Sequence, residues 1–320
     1  MRHYAARRVL LFIPTLILAT MLLFALFWVV PGDVAYMILT GGDEDAAVVS
    51  VAQLDKLRED LGLNRPIYTQ YGYWLWDVVR GDLGNSIFSK TPVWDDLKFR
   101  FVVSIELAVM AIVMAFVVAV PLGIIAAVKQ DTWTDYISRI FAFIGIAMPT
   151  FWLGILMIYG LVFFFGWLPP LGYKKLWVEP LTNMQQLFFP ALALAFHDLA
   201  FTARITRSSM LEVLREDYVR TARSKGLKER VVVVRHALKN ALLPVVTISG
   251  IQFGRLLGGV IVVESIFVVP GVGELLIDSI LQRDFVVLQG IVLIIAIIVL
   301  TLNLVVDLLY GLLDPRIRYT

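Results

Sequence analysis

Apolar runs of membrane-spanning length recur along this chain, separated by polar stretches of very different character. The first, Val9–Val30, is 22 residues long and follows a short basic start with Arg2, Arg7 and Arg8. A cleaved secretory signal has an apolar centre of about 7–15 residues and a small-residue cleavage site. This run is longer and leads into Trp28–Asp33, so it predicts a retained span. Further spans are predicted over about 103–128, 137–165, 187–205, 241–263 and 286–311, each near or above the roughly 20 residues needed to cross a bilayer. The third exceeds that length and contains Pro149, which predicts a tilt, a kink or a projecting end.

The polar stretches differ in sign and build. Residues 31–100 carry seven Lys/Arg against eleven Asp/Glu. Within them Ser50 precedes Val51, Leu54, Leu57 and Leu61 at helical spacing, with Gly62 as a stop. An aromatic-rich helix over Ile67–Arg80 follows Pro66, and GDLGNS at 81–86 ends it. Its Tyr and Trp density fits the membrane–water boundary. It either packs on the ends of the spans or meets a partner directly. Residues 264–285 hold a Pro270-Gly271-Val272-Gly273 turn and an amphipathic helix over Leu275–Gln282. That segment is a seat for a partner or a plain interfacial helix.

The stretch from Arg204 to Lys239 is the opposite in charge, with ten Lys/Arg. It reads as a helix from Asp217, a glycine stop at Gly226, and a second helix running into the next apolar run. Basic loops between spans lie on the cytoplasmic side. Placing 1–8, 129–139, 204–239 and 312–320 inside collects 17 Lys/Arg there, against 10 outside, seven of these in the long 31–100 region. Six spans with both termini cytoplasmic follow. The predicted organisation is a first transmembrane helix (1–30), an extracytoplasmic insert (31–100), a five-helix section (101–311) with a cytoplasmic loop at 206–240, and a short tail (312–320).

Composition agrees: the 320 residues are 59% hydrophobic and 17% charged, with mean hydropathy +0.80, where soluble domains are about 45–50% apolar and 25% charged. The fold class is all-α integral membrane. Net charge is only +2, and the basic cluster sits between spans, so it marks a partner at the membrane or anionic lipid and not nucleic acid. With no cysteine and three separated histidines, no metal site is expected. No G-x-x-x-x-G-K-[ST] occurs, so no ATP site is expected in this chain, and no catalytic constellation has workable spacing. Ionisable residues inside spans are Glu106, His197, Asp198 and Arg255. Charges at that depth are costly and face a cavity or a partner helix. Arg255, with Gly258-Gly259 close by, either faces a cavity or pairs structurally with Asp198.

The same segments carry a resemblance over essentially the whole length. Pro31-Gly32-Asp33, GLNRPIYTQYGYWLW at 62–76, GDLGNS at 81–86, RSSMLEVLREDYVRTARSKGL at 207–227, RHALKNALLPVV at 235–246, LLGG at 256–259, PGVG at 270–273 and NLVVDLLYGLLDPRIR at 303–318 together resemble the permease subunits of bacterial ATP-binding-cassette importers, in the dipeptide/oligopeptide/nickel group. That family's coupling loop is written E-A-A-x-x-x-G, followed by a Leu-Pro. Here Arg220-Thr221-Ala222, Gly226 and Leu243-Pro244 occupy those places, a departure similar to that of the peptide-importer branch.

The resemblance implies a type I importer permease fold and half of a transmembrane pathway. It implies a homologous second permease, two cytoplasmic ATPase subunits holding ATP and Mg, and an extracytoplasmic solute-binding protein as partners. It places ATPase coupling on Tyr218, Arg220, Ala222, Arg223, Lys225 and Gly226, with Ala222 and Gly226 one helical turn apart for close approach to a partner's groove. Asp198, Arg255, Gly258 and Gly259 become candidates for the path, and Pro270, Gly271 and Gly273 for an outer gate or binding-protein contact. Di- or oligopeptides are the expected cargo, with nickel chelates, glutathione and oligosaccharides as alternatives. An ion-coupled secondary transporter is the rival class. It wants inverted repeats with broken helices and leaves 217–246 without a role.

Overall fold

The computed structural model describes residues 2–29, 34–40, 50–60 and 62–313. Among these no strand forms; Asn85 and Pro92 make one isolated bridge. The helices are α1 (Arg2–Val29), α2 (Val34–Thr40), α3 (Val51–Asp60), α4 (Ile67–Val79), α5 (Val93–Val128), α6 (Trp133–Ala147), α7 (Thr150–Phe165), α8 (Pro180–Val213), α9 (Asp217–Ser224), α10 (Glu229–Val231), α11 (Leu238–Phe267), α12 (Val272–Gln282) and α13 (Phe285–Leu313), with a π-helical turn at Val232–Ala237 before α11. Four of them, α1, α5, α8 and α13, are long and apolar enough to cross a membrane. The number rises to six if each of two bent pairs counts as one span. The protein is therefore an all-α, multi-pass membrane protein.

The expected third span is not one kinked helix. It is α6 and α7, set at 105° to each other. The cause lies in Met148-Pro149. A residue before proline is pushed out of the α region, and Met148 sits at φ −81°, ψ 125°. Pro149 has no N–H to offer the preceding turn and serves as the residue before α7. A second break, between α11 and α12, follows Val268, a β-branched residue held at φ +53°, where glycine is most at ease. Two other helices start earlier than the apolar pattern indicates: α5 at Val93 and α8 at Pro180.

The chain forms two compact units, residues 1–102 with 271–304, and residues 103–270 with 305–320. In the first, Val93, Leu97, Val272, Val287 and Ile291 make the buried core. A Cβ on Gly290 would stand 2.9 Å from the Val93 side chain, so glycine lets α13 close on the start of α5. The GDLGNS turn is locked by Asp284, whose Oδ2 accepts from Ser86 Oγ at 2.6 Å and from the Ile87 N–H at 3.1 Å. Tyr71 and Trp74 of α4 pack on Phe24 of α1, and the Tyr71 hydroxyl lies 2.9 Å from Thr20 Oγ1. The aromatic helix is thus packed on a span, while Tyr68, Tyr73 and Trp76 stay exposed.

In the second unit Val103, Leu107, Ala111, Ala115 and Ala119 recur every fourth residue along α5 and are all buried. They pack with the alanines of α8, chiefly Ala191, Ala193 and Ala195, and with Leu256, Val260 and Val263 of α11. Small side chains let membrane helices approach closely enough for dense van der Waals contact. Two glycines take this furthest. A Cβ on Gly123 would lie 2.5 Å from Thr206 Cβ, and one on Gly145 2.5 Å from Ala200 Cβ. Gly145→Leu is therefore expected to force α6 off α8 at a cost of roughly 1–3 kcal/mol or more. Thermal unfolding of the purified protein checks this, with Gly160→Leu as the reference, since Gly160 has open space around it.

Candidate functional site: a basic helix seated on a shared core

The segment of strongest chemical interest is built from α9 outward. Asp217 opens this helix and Arg223 stands in its last turn, each on the side that the helix dipole favours. The helix stops where the Lys225 N–H reaches Thr221 O at 3.1 Å and the Gly226 N–H reaches Arg223 O at 2.9 Å. Gly226 then turns the chain at φ +75°, a left-handed conformation that favours glycine. The turn is clamped: Arg223 donates through Nη2 to Glu229 Oε1 at 2.7 Å and through Nε to Oε2 at 3.1 Å. This pair holds the Glu229 carboxyl below the usual carboxylate range and pushes the Arg223 guanidinium up.

The inward face of α9 is Val219 and Ala222, 0% and 6% exposed. They sit in a small core with Ala127 at the end of α5, Met210 of α8, Val232, Val233 and Ala237 of the π turn, and Ala241 of α11. Four stretches leading into spans or bent pairs therefore converge beneath one eight-residue helix. Val219 and Ala222 are three apart, on one helical face, and their small size serves this chain's own packing. Gly226 lies beyond the last residue of the helix, in the turn that ends it. The outward face carries Tyr218, Arg220, Thr221, Ser224 and Lys225, all exposed. Arg220 reaches Asp217 at 3.5 Å, a contact worth little at such exposure. The Tyr218 hydroxyl accepts from Asn240 Nδ2 at 2.8 Å, tying α9 to α11 while the ring stays 41% exposed.

The other expected residues are scattered. Asp198 is half-buried in α8. Arg255 lies in α11, and its side chain falls outside the described residues, as does its expected pairing with Asp198. Gly258 faces open space, whereas a Cβ on Gly259 would meet Leu194 Cδ1 at 3.0 Å. Pro270 is half-buried; Gly271 and Gly273 are buried. Gly271 is the residue before α12, and its carbonyl accepts from Arg100, which also pairs with Glu274 at 2.8 Å. That turn is a structural lock, and the exposed apolar residues of α12 are Ile277, Ile280 and Leu281. Glu106 is held by the hydroxyl of Tyr173, and burial, then the carboxylate, raises the Tyr173 phenol above its ordinary range.

Sequence reasoning missed a buried, two-pronged ion pair of the second unit. Arg207 of α8 meets Asp135 of α6 through Nε to Oδ1 at 2.6 Å and Nη2 to Oδ2 at 2.7 Å. Asp135 is fully buried and also accepts from the Asp131 N–H at 3.1 Å. The available signal was Arg207 heading the motif that runs into α9. A second missed carboxylate, Glu264 at the end of α11, is buried and accepts from Ser104 Oγ at 2.5 Å. Among the described residues no cluster of His, Asp and Glu is arranged to hold a metal ion.

Comparison with known proteins completes the picture. The chain is 40% identical to the dipeptide transport system permease protein DppB of Alkalihalophilus pseudofirmus, with 100% of each chain covered. It is 41% identical to the glutathione transport system permease protein GsiC of Escherichia coli K12, again over 100% of each. A putative peptide transport system permease protein of Brucella abortus is 39% identical over 98% of each chain. An amino acid ABC transporter of known structure aligns with a TM-score of 0.51 at 17% identity, covering 66% of this chain and 90% of that one, which speaks to the fold alone. Residues 1–108 match the N-terminal membrane component of binding-protein-dependent transport systems. With residues 119–319 matching their inner membrane component, the chain belongs to the family of binding-protein-dependent transport system inner membrane components.

Proposed function

We propose that this chain forms half of the transmembrane pathway of an ATP-driven importer for short peptides, and that α9 is the element through which cytoplasmic ATPase subunits drive it. The observation that carries the reading is the seat of α9 on one core with the ends of α5 and α8, the π turn and the start of α11. A rigid helix so placed passes a push on its outer face directly into the spans. Tyr218, Arg220 and Lys225 form that outer face; Ala222 seats the helix, and Arg223 with Gly226 fixes the turn that ends it. Dipeptide, glutathione and peptide permeases among the relatives favour peptides over nickel chelates or oligosaccharides. A second, homologous permease completes the pathway, a solute-binding protein delivers cargo from outside, and ATP and Mg are held by two partner ATPases. Asp198, Arg255 and Gly258 are proposed to face the path or the sister permease. The exposed apolar edge of α12, set by the Pro270-Gly271-Val272-Gly273 turn, is proposed to lie at its outer mouth. The chain sits in the bacterial or archaeal cytoplasmic membrane with both termini cytoplasmic.

The test is purification of the complex from its host, with ATP hydrolysis measured with and without the binding protein. Two ATPase subunits and a second permease are expected to co-purify with wild type. The double variant Arg220→Glu, Lys225→Glu is expected to lose the ATPases while keeping the sister permease. A chain that purifies alone and moves solute on an ion gradient without ATP overturns the reading in favour of a secondary transporter.

A further inference from the structure

Beside the Asp135–Arg207 pair, α5, α6 and α8 enclose a cleft of about 460 Å3, within the size range that holds a small-molecule or chain-like ligand. Its interior is apolar, formed by Leu122, Ala126, Ala142, Phe143, Ile146 and Ala147. Its polar groups are Ser138, Arg139, Arg204 and Arg207, all near the α9 end of the helices. Arg207 is spent on Asp135 in a two-pronged contact. Arg139 stands 3.7 Å from the same, already occupied, carboxylate and lies over the Tyr136 ring. Arg204 lies over the Phe201 ring at 5.2 Å, is exposed, and makes no ion pair among the described residues. Asp131, in the turn before α6, adds one carboxylate close enough to act on Arg207, so the three arginines of the cleft meet two carboxylates.

An apolar cleft between helices of a membrane protein with an excess of arginine at one end has the chemistry of a phospholipid: a chain inside and a phosphodiester at the mouth. Guanidinium groups suit phosphate oxygens through paired donors, and basic pockets between transmembrane helices on the cytoplasmic side take anionic headgroups. The stacking of Arg139 and Arg204 on aromatic rings holds their planes without consuming their charge. We propose that this cleft is a binding site for one anionic phospholipid of the cytoplasmic leaflet, with its acyl chain along Leu122, Ala126 and Ile146 and its phosphate between Arg139 and Arg204. The choice of leaflet rests on the orientation proposed above; the binding itself does not.

The experiment places the intact transporter in nanodiscs of phosphatidylcholine with a minor fraction of phosphatidylglycerol and counts, by native mass spectrometry, the lipids retained on this subunit. Wild type is expected to retain phosphatidylglycerol roughly tenfold above its bulk share. Arg204→Glu is expected to remove the enrichment through charge, and Ala147→Trp through filling the cleft, since Ala147 is exposed and lies outside the buried core. Arg230→Glu, which makes the same charge change at an exposed position of α10, is expected to leave it intact. No enrichment in wild type overturns the site, whether because the sister permease covers the cleft or because only bulk lipid surrounds it. Loss with Arg204→Glu but not with Ala147→Trp overturns the cleft in favour of surface charge alone. Retention is read on the permease itself, so a complex without ATPases, which sinks the importer reading, leaves this outcome readable.

Discussion

Replacing Asp135 by alanine is expected to destabilise the protein by about 3 kcal/mol, one of the largest single-residue losses in the second unit. The side chain is fully buried, and both its oxygens are engaged by Arg207, with the Asp131 N–H as a third donor. Removing it strands a guanidinium that is itself only 19% exposed and leaves the turn before α6 without its acceptor. The pair matters more for what it holds than as a charge pair, because a well-packed apolar replacement of both partners is often tolerated. Asp135→Asn keeps the shape and one acceptor oxygen, which can still take the Arg207 Nη2 and Asp131 N–H donors, but it sets an NH2 against the Arg207 Nε–H and removes the counter-charge, so it is expected to cost only somewhat less than the alanine. Arg207→Lys loses the paired geometry and is expected to fall between them. Thermal unfolding of the purified complex and the amount of protein inserted in membranes check the order. An Asp135→Ala protein with unchanged Tm and normal insertion contradicts the assignment.

That contact also marks where the sequence is hard to read. Asp135 and Arg207 are 72 residues apart, and nothing in the local pattern of either announces the other. Local signals fared better. The stop at Gly226 and the break at Pro149 were legible, because backbone conformation is a local property. The severity of the 105° bend was not, since proline explains a break and not an angle. The true starts of α5 and α8 were missed because hydropathy sees only the apolar part of a helix. The first turns of α5 carry Asp95, Asp96, Lys98 and Arg100, good for a helix N-terminus but invisible as a span. In the site itself, periodicity put Ala222 on a face. It did not say whether that face meets this chain or another, which depends on how Val232, Val233 and Ala237 fold back beneath it.

Ala222 accordingly supplies the sharper test of coupling. Enlarging it to tryptophan is expected to reduce uptake at least tenfold while the protein still reaches the membrane. The side chain is 6% exposed and surrounded by Met210, Val232, Val233 and Ala241, so added bulk must lift α9 from its seat, at roughly 1–3 kcal/mol for an overpacked position. The outer face keeps Tyr218, Arg220 and Lys225 throughout. The ATPases are therefore expected to stay bound, and hydrolysis to lose its response to the solute-binding protein. Ala222→Gly removes one methyl and weakens the helix by about 1 kcal/mol; it is expected to keep most of the uptake. Charge reversal at Arg220 and Lys225 has the opposite signature, with detached ATPases and an intact seat. Uptake into membrane vesicles, ATPase retention and stimulated hydrolysis, measured on the same preparations, separate the two. Normal uptake by Ala222→Trp shows that the core beneath α9 does not transmit the stroke, and places coupling on another contact of this segment.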